Sequence, residues 1–234
     1  MIVPRRARGL LLAGLAMSLF PTFLRAGTVS PVRVPGLPGS AVSLEASLRA
    51  AAPTLRPEAL HAALVSWKSL ASQGEIATDL LTVIDYGLPS TVRRLWVFDL
   101  ASHRVLFHTL VAHGRNSGAD LAESFSNDEG SLMSSLGSFV TGETYVGRNG
   151  YSLRLRGMEP GLNDRAEART IVMHGAAYVS EDFIRRVGRL GRSHGCPAVS
   201  RRVAGPLIDR LKGCTLLYVW HPSLAPLQVA LRKP

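Results

Sequence analysis

Near residue 75 the spacing of apolar residues changes, and this change constrains the fold more than any other feature of the chain. Before it the period is helical. Over residues 57–73, Leu60, Leu64, Trp67 and Leu70 recur on one face, Pro57 suits a first helical position and Gly74 stops the run. The Trp67 stripe reads as core, and a shorter helix is expected over residues 43–52. After residue 75, short runs of β-branched and aromatic residues stand between turn signals: Leu80-Leu81-Thr82-Val83-Ile84, Leu95-Trp96-Val97-Phe98 and Val105-Leu106-Phe107. The link Asp99-Leu100-Ala101-Ser102 suits a hairpin, so the second and third runs pair antiparallel. Residues 136–146 and 151–155 form a further pair, and a strand over residues 169–174 carries His174 at its end. Short helices are expected over residues 180–187 and from Pro206, at a first turn, to Gly213 just past the end. The order predicts a mainly β fold: a β-sandwich or partly closed barrel with short helices and an N-terminal helical segment.

The N-terminus points to export. Arg5, Arg6 and Arg8 precede an apolar run over residues 10–20, and the stretch to Ala26 ends in a small residue, which is the pattern of a secretory signal peptide. The apolar run is about a dozen residues, short of the roughly 20 that span a bilayer, so no membrane span is expected once the leader is cleaved. The expected organisation is a signal peptide at 1–26, a Pro/Gly-rich linker at 27–42, a helical segment at 43–74 and a catalytic domain at 75–234. Loss of the leader removes Arg5, Arg6, Arg8 and Arg25, so the formal charge falls from +10 to +6. A chain that stays basic suits work beside anionic polymers in the periplasm or cell wall.

Two cysteines, Cys196 and Cys214, remain in a compartment that permits disulfides, and a single Cys196–Cys214 bond is the plain structural reading. Against it stands the company of Cys196. The segment Arg192-Ser193-His194-Gly195-Cys196-Pro197, preceded by His174-Gly175, brings a thiol, two imidazoles and small residues close together. A sulfur nucleophile needs a base to become thiolate and clearance for an acyl group and its oxyanion donors. Cys196 is expected to attack and His174 to act as base, with His194 orienting the site and Ser193 completing the turn. Pro197 has no N–H, so the oxyanion donors are expected from Gly195 and Cys196. A helical turn begun by Pro197 would lower the thiol pKa. Cys214 opens the apolar run 214–220 and reads as a small hydrophobe in a buried strand.

His174, His194, Cys196 and Cys214 are zinc-type ligands, but the chain has neither Cys-x-x-Cys nor His-Glu-x-x-His. No metal and no cofactor are expected, and no nucleic-acid partner.

These residues resemble the signature of the L,D-transpeptidases, the YkuD-type family: a His-Gly pair at a strand end, then Ser-His-Gly-Cys about 20 residues later. Further phrases resemble its murein L,D-transpeptidase catalytic domain branch, among them Ile84-Asp85-Tyr86, Arg94-Leu95-Trp96-Val97-Phe98-Asp99-Leu100, Val111-Ala112-His113-Gly114-Arg115-Asn116-Ser117-Gly118, Ser134-Ser135-Leu136-Gly137 and Asn163-Asp164. The likeness runs from about residue 75 to 221. It implies an all-β catalytic fold and peptidoglycan stem peptides as substrate. It also implies an acyl-enzyme on Cys196, formed at the third residue of a tetrapeptide with release of the terminal D-alanine. An amine then gives a 3-3 cross-link, or water gives a tripeptide, as in an L,D-carboxypeptidase. Many members carry Arg or Asn two residues after the cysteine, where this chain has Ala198. A substrate-carboxylate clamp is therefore expected from Arg192, Arg189 or Arg115, with Gly175 lining the substrate. The reading from another class is a non-catalytic wall-binding protein holding the Cys196–Cys214 disulfide. The sequence is silent on oligomeric state.

Overall fold

The computed structural model describes residues 43–225, so the expected leader and linker lie outside the described residues. The described residues form four short helices and one nine-stranded sheet: α1 (Leu44–Ala51), α2 (Pro57–Ser72), β1 (Leu80–Asp85), β2 (Leu95–Asp99), β3 (Arg104–Thr109), β4 (Val111–Ala112), β5 (Gly137–Gly147), β6 (Gly150–Gly157), β7 (Val172–Ala176), α3 (Glu181–Val187), β8 (Ala198–Ser200), α4 (Arg201–Leu211) and β9 (Leu216–Trp220). The helices end where local chemistry requires. Ser43 caps α1 by accepting the Ala46 N–H, Pro57 opens α2, and Ser180 caps α3 through the Phe183 N–H.

The strands run in the order β3-β2-β1-β9-β5-β6-β7-β8-β4. The two end strands, β3 and β4, are separated in sequence by Leu110 alone. One residue spans only a few ångströms of chain, so the ends of the sheet must come together and the sheet curls into a nearly closed barrel. This is the barrel form of the expected mainly β fold. Most neighbours are antiparallel, including the expected β2–β3 and β5–β6 pairs, whereas β1–β9 and β7–β8 are parallel. Strands buried on both faces, such as β1, read as largely apolar runs, here interrupted by buried Thr82 and ended by buried Asp85.

Helices α1 and α2 share the core with the barrel through Leu48, Leu60 and Leu64. Arg56, at the start of α2, ion-pairs at 2.8 Å with Asp85 at the end of β1. Among the described residues no helix is long and apolar enough to cross a membrane.

Three local expectations are corrected. Strand β7 begins at Val172 rather than residue 169, because Thr170 takes a left-handed backbone (φ 53°) that no regular strand admits. His174 is therefore mid-strand. Helix α4 starts at Arg201, so Pro206 lies inside it. The missing N–H leaves one carbonyl without its helical partner, and burial of Ala204, Leu207, Ile208 and Leu211 on one face offsets that loss. The residues after Pro197 form β8 rather than a helical turn, so no helix N-terminus lies behind Cys196.

Candidate active site

Cys196 closes the turn Ser193-His194-Gly195-Cys196 that feeds β8. Gly195 has φ 120°, and a Cβ there would stand 2.7 Å from the Met133 carbonyl oxygen. Only glycine fits that backbone and that clearance. The Ser193 hydroxyl accepts the Gly195 N–H at 3.1 Å and donates to the Cys196 carbonyl at 2.6 Å, which braces the turn across its mouth. The Ser193 main chain is anchored on both sides, donating to His113 O and accepting from Arg115 N. This overturns one expectation: the Gly195 N–H is already engaged and is not a free oxyanion donor.

The thiol is nearly buried, with Cys196 8 % exposed. Its sulfur accepts the Val172 N–H at 3.5 Å and donates to the Thr170 carbonyl at 3.8 Å. The left-handed Thr170 thus turns its carbonyl toward the sulfur. Residues held in such backbone regions recur at functional sites. Burial pushes the Cys196 thiol above its ordinary value, against the opposing pull of the Val172 N–H and the Arg169 charge. The sequence-based expectation of a lowered thiol pKa is corrected, because it depended on a helix that β8 replaces.

His174 pairs with Ser152 of β6 on one side and Ala198 of β8 on the other. Parallel β7–β8 pairing thereby fixes the histidine to the strand that begins two residues after Cys196. Val172, whose N–H meets the sulfur, shares a face of β7 with His174, about 6.6 Å along the strand. His174 is buried, and its Nδ1 lies 3.2 Å from the Gly175 carbonyl. A carbonyl only accepts, so Nδ1 carries the proton and Nε2 keeps its lone pair. Burial lowers the His174 pKa below 6.5, partly opposed by the Gly175 carbonyl. No hydrogen bond joins this imidazole to the thiol; a neutral thiol stands near a neutral imidazole.

The remaining expected site residues fall in other places. A Cβ on Gly175 would meet Ala204 at 2.9 Å, so this half-buried glycine packs closely against α4. His194 is exposed and makes no hydrogen bond among the described residues, so it does not buttress the turn. The Arg192 guanidinium donates to the carbonyls of Arg115 and Gly118 and holds the loop after β4. Arg115 is exposed beside it, and desolvation together with the charges of Arg189 and Arg115 depresses the Arg192 pKa, so three cations gather at this rim. Cys214 is corrected too: it is exposed, outside β9, at φ 59°, and both cysteines are free thiols. Among the described residues no three His, Cys, Asp or Glu side chains gather in a metal-binding group.

Two groups of residues were not anticipated. The segment 131–135 is wedged between Gly114 and Gly195. The Ser134 hydroxyl accepts the Gly114 N–H at 3.0 Å and donates to the Gly195 carbonyl at 3.1 Å, and the Ser134 N–H donates to Ser117 Oγ. Arg169 grips the same segment, reaching Ser126 O, Ser135 Oγ, Ser131 Oγ and Met133 O. Behind the turn, fully buried Arg94 donates to the Leu88 and Val111 carbonyls and to His113 Nδ1, and lies 4.9 Å over the Tyr86 ring. The phrases around Arg94, His113 and Ser134 were visible as motifs; no sequence signal marked Arg169.

A family model described as L,D-transpeptidase catalytic domain matches residues 51–220. Similar solved structures include an L,D-transpeptidase from Mycobacterium smegmatis, 15 % identical over 62 % of this chain and 59 % of that one, with a TM-score of 0.36. Another is the helical cell shape determining protein Pgp2 from Campylobacter jejuni, 13 % identical over 62 % of this chain and 44 % of that one, with a TM-score of 0.37. The chain spans less than two thirds of the length of either. A search of the curated proteins finds no match.

Proposed function

From the premise that the chain belongs to the L,D-transpeptidase catalytic domain family, we propose that it is an exported peptidoglycan L,D-transpeptidase working through an acyl-enzyme on Cys196. The observation that carries this reading is the sulfur of Cys196, held in a glycine turn between the N–H of Val172, which opens the strand that bears His174, and the carbonyl of Thr170 in the turn before it.

Arrival of a stem tetrapeptide brings the carbonyl of its third residue to Sγ. The thiol proton passes to His174 Nε2, Sγ bonds to the carbonyl carbon, and the carbonyl π pair moves onto oxygen. Gly195 being engaged by Ser193, the oxyanion is received by the N–H groups of His194 and Cys196, neither of which donates to another residue among the described residues. One such donor is worth about 2.7–4 kcal/mol in the transition state. The imidazolium returns its proton to the departing D-alanine amine as the C–N bond breaks, leaving a thioester. An acceptor amine then attacks, loses a proton to His174 and restores the thiol, forming the 3-3 cross-link. The site starts neutral, so the ion pair forms only as substrate displaces water. The cationic rim of Arg115, Arg189 and Arg192 suits the carboxylates of the stem peptides.

Incubating the full chain and a Cys196→Ala variant with purified disaccharide-tetrapeptides tests the reading by product mass. Cross-linked dimers from the parent alone are expected. Tripeptide alone would make the protein a carboxypeptidase, and unchanged substrate with both proteins would overturn the enzyme reading.

A further inference from the structure

Arg169 stands in the turn ahead of β7, and its surroundings are unusual for a half-buried guanidinium. Its two terminal nitrogens donate four hydrogen bonds, at 2.7 Å to Ser126 O, 2.5 Å to Ser135 Oγ, 3.2 Å to Ser131 Oγ and 2.6 Å to Met133 O. Every acceptor is neutral, and among the described residues no carboxylate lies within ion-pair distance of it. Charges taken out of water are ordinarily paired, because desolvation is costly. One of these nitrogens would be 3.3 Å from a Cβ on Gly195, the residue directly before Cys196. The next residue, Thr170, presents its carbonyl to the sulfur. The unpaired cation and the one titratable sulfur of the site are therefore adjacent.

We propose that Arg169 is a positioning residue that supplies the fixed positive charge for the Cys196 thiolate while tying the segment 126–135 over the nucleophile turn. The inference rests on the reading of Cys196 as nucleophile. Four of the five guanidinium N–H groups are already engaged, so no bidentate face remains for a substrate carboxylate. Arg169 acts through its field, which is strong because the sulfur is nearly dry. The same four bonds fix where the charge stands. A charge held in place stabilises a developing thiolate without reorganisation when the proton leaves.

Other groups face the thiol as well. Tyr86 and Tyr178 lie close enough to couple with it, and burial pushes both up to about 12, so they stay neutral. His174 comes from β7, exposed His194 adjoins the turn, and Asp128 is the carboxylate that acts on Arg169 from the solvent side. Of these, Arg169 alone carries a permanent charge toward the sulfur.

The test is the pH profile of Cys196 alkylation by iodoacetamide in the full chain, followed by mass of the Cys196 peptide so that exposed Cys214 does not contribute. Arg169→Gln, which keeps donors without the charge, should move the alkylation midpoint up by about one pH unit, an approximately tenfold slower reaction near neutrality. Arg169→Lys should hold the midpoint close to that of the parent. A Ser131→Ala/Ser135→Ala pair, which loosens the tie but keeps the charge, should leave it in place. Should Arg169→Gln not fold, Arg169→Met serves in its stead. An unchanged midpoint in a folded neutral variant overturns the proposal, and so does an equal shift in the serine pair. Because this readout needs no stem peptide, an altered profile in a chain that makes no peptide product would count against the proposed function alone.

Discussion

Two regions of the barrel each bury a histidine, and they hold the two imidazoles in opposite tautomers. Behind the nucleophile turn, Arg94 donates to His113 Nδ1 at 2.7 Å. An arginine cannot accept, so the His113 lone pair is occupied and its proton sits on Nε2, facing the Gly118 carbonyl. On β7 the reverse holds: a carbonyl takes the proton of His174 Nδ1, and the lone pair on Nε2 is left for chemistry. The arginines differ in the same sense. Arg94 is fully buried and spends its donors on the Val111 carbonyl of β4, the Leu88 carbonyl and His113, with its pKa pushed down to about 10 by desolvation. Arg169 is half-buried and lies beside a thiol. Which ring nitrogen keeps its lone pair thus separates a histidine used as a strut from one open to proton transfer.

Exchanging the roles of the two histidines is the strongest attempt to break this contrast. His174→Ala should cut turnover on disaccharide-tetrapeptides by about 10²–10⁴-fold while thermal melting changes little. His113→Ala should do the opposite, lowering the melting temperature while folded protein keeps its turnover. Equal kinetic losses would show that the tautomer argument assigns the base wrongly.

The next effect is on the strut. Arg94→Met leaves the Val111 and Leu88 carbonyls without their donor in a dry interior and should cost about 3 kcal/mol or more in urea unfolding. Arg169→Met, whose lost partners lie nearer water, should cost less. The reverse order would contradict the comparison.

Acid stability separates the histidines further. Burial, reinforced by the Arg94 charge, holds the His113 pKa at about 4, against 6.5 when exposed. Between those values the unfolded chain binds a proton that the folded chain refuses, so stability rises with pH across the window and is lost as pH falls through it. The loss should approach about 3 kcal/mol by pH 4, measured by urea melts at fixed pH, and His113→Gln should flatten that slope. For His174 the lowered pKa has a kinetic reading: the acid limb of kcat/KM should have its midpoint below pH 6.5, and a midpoint above it would mean that another group is the base.

The smallest effect belongs to the second cysteine. Cys214→Ser should change stability by less than about 0.5 kcal/mol and leave turnover intact, since the side chain is exposed. Any large loss would revive the disulfide reading.

Much of this was legible in the chain and some was not, for identifiable reasons. Strands such as β1 and β2 announce themselves because a run buried on both faces is apolar at most positions. The nucleophile turn announces itself because a reactive thiol needs a glycine beside it, and the candidate base stands in its own His-Gly pair on a nearby apolar run. The state of the thiol was not legible. It depends on whether Pro197 leads to a helix or a strand, and that is decided by pairing with β7 and β4 far away in sequence. The Gly195 N–H was misjudged because its partner is the nearby Ser193 hydroxyl, a local choice that spacing alone does not reveal.

The sequence by itself determined the mainly β architecture and the family, and singled out Cys196 and His174 as candidates, because periodicity and short motifs are local properties of a chain. The tertiary structure decided what those residues face. It placed Arg169 and Thr170 against the sulfur, spent Arg192 on backbone carbonyls, turned His194 outward and packed Gly175 against α4. Charge, burial and hydrogen-bond partners are set by groups that meet only when the sheet closes, so they are not written in any one segment.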